Sequence, residues 1–145
     1  MGRTEDELLR CLGVEVMRLA ARRSTTYDGA VLDYSAFRIL WRLVERGPLS
    51  LSALAEDLQL ERSTVSRQVS AAVARGLVAR GADADLRSRH VRPTEAGLAA
   101  YRNDVAARAR VWGAAVEEVG AERAAGLAEE LRRFNDALDR AHGDV

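Results

Sequence analysis

The segment Leu51–Leu77, LSALAEDLQLERSTVSRQVSAAVARGL, restricts the fold of this chain more than any other part of it. Leu51, Leu54, Ala55 and Leu58 recur at spacings of three and four, which places them on one face of a short helix. Ser50 stands before that helix as its N-cap, with an oxygen able to accept an orphan backbone N–H. Val65, Val69 and Val73, with Ala72 beside them, repeat the spacing, and Gly76 supplies a left-handed stop. Gln59 to Arg62 leaves room only for a sharp corner between two packed helices, and the small Ala55 and Ala72 let them approach closely. The outer side of the second helix carries Ser63, Thr64, Ser66, Arg67, Gln68 and Ser70, with no carboxylate between Glu61 and Asp83. A helix of that shape fits a major groove about 12 Å wide and offers it donors and acceptors. The plainer alternative is a helical hairpin with a solvated face, and spacing alone does not separate the two.

The residues after Gly76 favour groove binding. Leu77–Arg80 and His90–Arg92 are short strand candidates, and Gly81–Arg89 between them is polar, the tip of a hairpin. A hairpin directly behind a helix-turn-helix is a wing. Arg87 and Arg89 at its tip suit a narrow minor groove, and Asp85 is placed to brace Arg87. Arg62 and Arg75 read as phosphate neighbours. The plainer reading of the hairpin is an ordinary solvated loop.

One helix directly precedes this pair, and three amphipathic helices flank the compact middle that results. Residues 5–23 place Leu8, Leu9, Leu12, Val16, Leu19 and Ala20 on a broad apolar face. Asp33 caps a helix bearing Phe37, Leu40, Trp41, Leu43 and Val44, which Gly47-Pro48 stops. Thr94 caps a long helix over 95–118 with Leu98, Tyr101, Val105, Ala109, Trp112, Val116 and Val119, and Gly120 breaks it. A last helix, 121–141, repeats the theme with Leu127, Leu131, Phe134 and Leu138. Apolar stripes at both chain ends, beyond what one core needs, predict a symmetric dimer.

Net charge is zero over 145 residues, which by itself argues against a nucleic-acid partner, but the charge is segregated. Residues 1–60 carry a net −1, residues 61–110 a net +5 and residues 111–145 a net −4. Positive charge therefore gathers around the second helix of the pair, where it attracts phosphates. All 22 basic residues are Arg, a sign of codon bias rather than function. A single Cys excludes an internal disulfide, and one Cys with two His is a poor metal inventory, so neither a metal nor a cofactor is expected. No apolar run approaches the ~18 residues of a membrane span and no signal-peptide block opens the chain, so the expected location is cytoplasmic. His90 and His142 have no Ser or Cys at a suggestive spacing, and no glycine loop cradles a phosphate, so no enzyme is expected.

In element order and local motifs the chain resembles the MarR family of bacterial transcriptional regulators. The specific part runs from Asp33 to Gly97, with the D-x-R of Asp85 and Arg87 and the T-x-x-G of Thr94 and Gly97 at the wing and the following helix start. Pro93 departs from the pattern, since an apolar strand residue is more usual there, and it makes the second wing strand short or an edge. The resemblance implies a mainly α fold with a small β-wing. It is one domain over 1–145: dimerisation helices in 1–30 and 120–145, a winged helix-turn-helix over 33–97 and a connecting helix over 95–118. It further implies a homodimer on a pseudo-palindromic operator in double-stranded DNA, a repressor that a small-molecule effector releases.

By this resemblance Arg62, Ser63, Thr64, Ser66, Arg67 and Gln68 meet the duplex from the helix, and Arg87 and Arg89 from the wing. The family's effector pocket maps to a cleft bordered by Phe37 and Trp41, although Trp41 and Trp112 read equally as core. Cys11 sits where the family's hydroperoxide-sensing branch carries its thiol. Glu15 one turn on, in place of a tyrosine, opposes thiolate formation and favours a packed, inert thiol. The alternatives are a winged helix that binds protein instead of DNA, or a redox-sensing regulator acting through Cys11.

Overall fold

The computed structural model describes residues 4–81 and 90–143. Their order is α1 (Glu5–Ala21), a single 3-10 turn (Arg22–Ser24), α2 (Tyr34–Arg46), α3 (Leu51–Leu58), α4 (Arg62–Ala74), β1 (Val78–Arg80), β2 (Val91–Pro93), α5 (Glu95–Val119) and α6 (Ala121–Gly143). The chain divides into two compact units, Met1–Ala107 and Arg108–Val145.

The first unit is built around the α3–α4 pair. Asp33 Oδ1 accepts the Ala36 N–H at 2.7 Å and Ser50 Oγ accepts the Ala53 N–H at 3.1 Å, so α2 and α3 start at their expected caps. Ile39, Leu40 and Leu43 of α2, Leu54 and Leu58 of α3, Val65 and Val69 of α4, and Val78 and Val91 of the strands form the fully buried centre. Burying side chains of that size contributes about 1.5–3 kcal/mol each. Ala55 and Ala72 are buried too, as close packing of α3 and α4 requires. Arg42 and Arg46 of α2 grip Asp57 of α3 at 3.0 and 2.6 Å, and Arg38 donates to the Leu58 carbonyl at 2.9 Å. Burial pushes the Asp57 carboxyl up, but its hydrogen bonds and charge attraction to Arg46 and Arg42 outweigh that and hold it below the usual carboxylate range.

β1 and β2 pair antiparallel, with Val78 opposite Pro93 and Arg80 opposite Val91. Each strand starts one residue later than the sequence predicts. Leu49 and Val91 exchange both backbone bonds, at 2.8 and 3.1 Å, on the other side of β2. Val91 therefore turns its N–H away from β1, and two residues on Pro93 does the same. Its missing donor costs the β1–β2 ladder nothing. The strand is short, as expected, but Leu49 covers its outer side at Val91, so it is not a bare edge.

Three apolar assignments are corrected. Val73 is 39% exposed, and the buried strip of α4 is Val65, Val69 and Ala72. In α5 the buried residues are Gly97, Asp104 and Ala107, whereas Val105 is exposed. Neither tryptophan is core: Trp41 is 39% exposed, with the Arg42 guanidinium 4.9 Å from its ring centre, and Trp112 is 55% exposed. α1 buries no residue, and neither does α6 in the second unit. Leu8, Leu12, Val16 and Leu19 of α1 are exposed, as are Leu127, Leu131, Phe134 and Leu138 of α6. Among the described residues, no helix is long and apolar enough to cross a membrane.

Candidate nucleic-acid interface

The orientation of α4 is set by what it buries. Val65, Val69 and Ala72 face the core, so Ser63, Arg67 and Ser70, half a turn away, form an exposed ridge. Arg62 in the first turn is exposed as well, while Thr64, Ser66 and Gln68 flank the ridge half-buried. Of the six predicted α4 residues, Ser63 and Arg67 thus stand at the centre of the exposed ridge, and the other four lie toward its margins. Arg67 is within 3.5 Å of Thr64 Oγ1, a weak contact that leaves most of the guanidinium's donors for another partner.

Arg80 at the end of β1 reaches back to α4, donating to Ser70 Oγ at 3.0 Å and to the Ser66 carbonyl at 3.5 Å. It ties the strand pair to the ridge, a role that sequence spacing does not reveal. Arg87 and Arg89 lie outside the described residues, as does the rest of 82–89.

Arg75 does not stand free as a phosphate neighbour. It donates to the Val31 carbonyl at 3.2 Å and ion-pairs with Asp33 at 3.6 Å. A cleft of about 240 Å³ opens beside it, lined among others by Ser35, Arg67, Gln68 and Ala71. It differs from the cleft expected near Phe37 and Trp41. Phe37 instead stacks on Tyr101 with ring centres 5.4 Å apart. Burial, with the nearby Glu45 charge, pushes the Tyr101 hydroxyl's pKa up. Cys11 is exposed on α1 rather than packed, and Glu15 one turn on is paired with Arg18 at 2.9 Å.

Gly97 and Thr94 explain the T-x-x-G motif. The Thr94 hydroxyl donates to the Gly76 carbonyl at 2.5 Å and accepts the Gly97 N–H at 3.0 Å, while the Thr94 N–H donates to the Leu77 carbonyl at 3.1 Å. A Cβ on Gly97 would lie 1.9 Å from that Leu77 oxygen. The end of α4, where Gly76 has φ +72°, and the start of α5 are thus joined through backbone atoms.

A helix pair whose second member shows a polar, arginine-bearing ridge, with a two-stranded sheet bonded to that same helix, defines a winged helix-turn-helix. Residues 32–88 match the model of the MarR family. It is similar to a MarR family protein from Bacillus stearothermophilus, at 22% identity and a TM-score of 0.66 over 92% of each chain. It is also similar to a MarR/EmrR family transcriptional regulator from Acinetobacter sp. ADP1, at 18% identity and a TM-score of 0.73, covering 96% of this chain and 99% of that one. The PcaV transcriptional regulator from Streptomyces coelicolor, solved with its natural ligand, gives 22% identity and a TM-score of 0.62, covering 95% of this chain and 99% of that one. Among curated protein sequences none matches.

Proposed function

We propose that this chain is a sequence-specific DNA-binding transcriptional regulator, acting as a homodimer and repressing until a small molecule releases it. The observation that carries the reading is the ridge of α4: Ser63, Arg67 and Ser70 exposed, Thr64, Ser66 and Gln68 beside them, on a helix without a carboxylate. Arg67 and Gln68 are the base readers, and Arg62 contacts the backbone. Arg87 and Arg89 are assigned to the minor groove or backbone on their sequence alone. The exposed apolar stripes of α1 and α6 support pairing with a second copy. Effector control draws support from the ligand-bound Streptomyces coelicolor regulator. We place the effector beside Phe37 and Trp41.

Titration of the DNA upstream of the chain's own gene, monitored by fluorescence anisotropy at several salt concentrations, tests the reading. Neutralising ~6–10 phosphates predicts a fall in affinity of ~10³–10⁵-fold between 50 and 200 mM salt. A salt-insensitive complex, or none, refutes it and leaves a protein-binding winged helix.

A further inference from the structure

Five contacts converge on the short segment Gly29–Asp33, and they come from two helices. From α5, Asn103 donates its amide to the Gly29 carbonyl at 2.8 Å, and the carboxylate of Asp104 accepts the N–H groups of Val31 and Leu32 at 2.8 and 2.9 Å. From the end of α4, Arg75 donates to the Val31 carbonyl at 3.2 Å and pairs with Asp33 at 3.6 Å. The backbone of one residue, Val31, is therefore held at its N–H by α5 and at its carbonyl by α4. Asp104 is fully buried, and Asn103 braces it at 3.0 Å. A buried carboxylate on two backbone donors is a stiff anchor, because removing either donor leaves charge unsatisfied.

We propose that Gly29–Asp33 is a relay that sets the seat of the recognition helix α4, with Asp104 as its positioning residue. The hydrogen bonds of Asp104 go to Val31, Leu32 and Asn103, none of them on α4. It acts through Val31 on Arg75, the cap residue of α4, while Asp33 uses its other oxygen to start α2. A displacement of α5 at Asn103–Asp104 thus reaches α4 without passing through the apolar core. The consequence for the operator rests on the DNA-binding reading; the mechanical coupling does not.

The test is amide hydrogen exchange on the full chain with Asp104→Asn and Arg75→Gln, together with duplex titration. Asp104→Asn keeps the shape but turns an NH₂ donor toward a backbone donor. Exchange should accelerate at least about tenfold at Val31 and Leu32 and also in the last turn of α4, at Val73–Arg75. Acceleration confined to 29–33 overturns the relay. Should Asp104→Asn fail to fold, Arg75→Gln, made at a half-exposed side chain, decides alone: unchanged exchange at Val31 and Leu32 overturns it. On the upstream duplex, both variants should bind about tenfold more weakly, within the range usual for coupled sites. Their slope of log affinity against log salt should be unchanged. A slope lowered by about one for Arg75→Gln marks a direct phosphate contact and overturns the relay. If the wild type binds no duplex while exchange still couples the two helices, the DNA reading fails and the relay stands.

Discussion

Gly97→Ala tests the junction on which the helix pair and the strand pair both depend. The new Cβ would sit 1.9 Å from the Leu77 oxygen, 2.8 Å from its carbonyl carbon and 3.2 Å from Leu40 Cδ2. Even weak C–H···O contacts hold carbon and oxygen about 3.3–3.6 Å apart, so the backbones must separate by roughly 1.4 Å. The obstacle is a carbonyl that accepts the Thr94 N–H, so no rotamer change relieves it. Overpacking costs about 1–3 kcal/mol, and a weakened Thr94–Leu77 bond about 0.5–1.5 kcal/mol. The higher helix propensity of alanine returns about 1 kcal/mol. The net expectation is a loss of roughly 0.5–3.5 kcal/mol, centred near ~2, a sizeable part of a typical 5–15 kcal/mol. Urea unfolding at fixed protein concentration measures it, with Gly113→Ala as the control, since a Cβ there meets nothing within 4 Å. The control should match or exceed the wild type by up to ~1 kcal/mol. A Gly97→Ala protein as stable as the wild type would refute the claim that α5 rests on the Leu77 backbone.

Two further outcomes are expected. Asp57 has its carboxyl held down by Arg46 and Arg42, so the stability it contributes is full above the ordinary carboxylate value and is lost as pH falls through its depressed folded value. Asp57→Asn should therefore narrow its deficit against the wild type as denaturation is measured from pH 6 toward pH 3; a constant deficit contradicts the ion-pair account. Leu12→Glu and Phe134→Glu place charge on the exposed stripes of α1 and α6. Because a two-fold interface counts each change twice, at ~1.5–3 kcal/mol per side chain, sedimentation equilibrium should show monomers. Undiminished dimers would place the interface elsewhere.

The middle of the chain is legible in the sequence because its signals are local. Asp33 and Ser50 cap at the predicted positions, Gly76 takes positive φ, and apolar spacing marks α2 to α4. The errors come from reading size instead of angle. At about 100° per residue, Ala72 lies roughly 20° from the line of Val65, whereas Val73 lies about 80° away, so the small residue is buried and the larger one is not. The same arithmetic in α5 puts Asp104 within about 20° of Gly97, and Leu98 and Val105 about 80–100° from it. An acid in line with an obligatory glycine is the available signal for Asp104. Its partners, two amides 72 and 73 residues away, leave no trace in the sequence. Nor do the links from Arg75 to Val31 and from Arg80 to Ser70, because long side chains choose partners that only the fold brings near. Trp41 and Trp112 mislead for another reason: an apolar ring on a helix has the same spacing whether its own chain or another body covers it.

The central claim, that the α4 ridge reads base edges, is tested most directly by selecting preferred duplexes from a random pool with the wild type and with Arg67→Ala. The wild type should enrich two related half-sites about 10 bp apart. Arg67→Ala should keep that spacing but lose ~1–3 kcal/mol of discrimination at one base of each half-site. Recovery of the same motif with undiminished preference at every position would contradict the account.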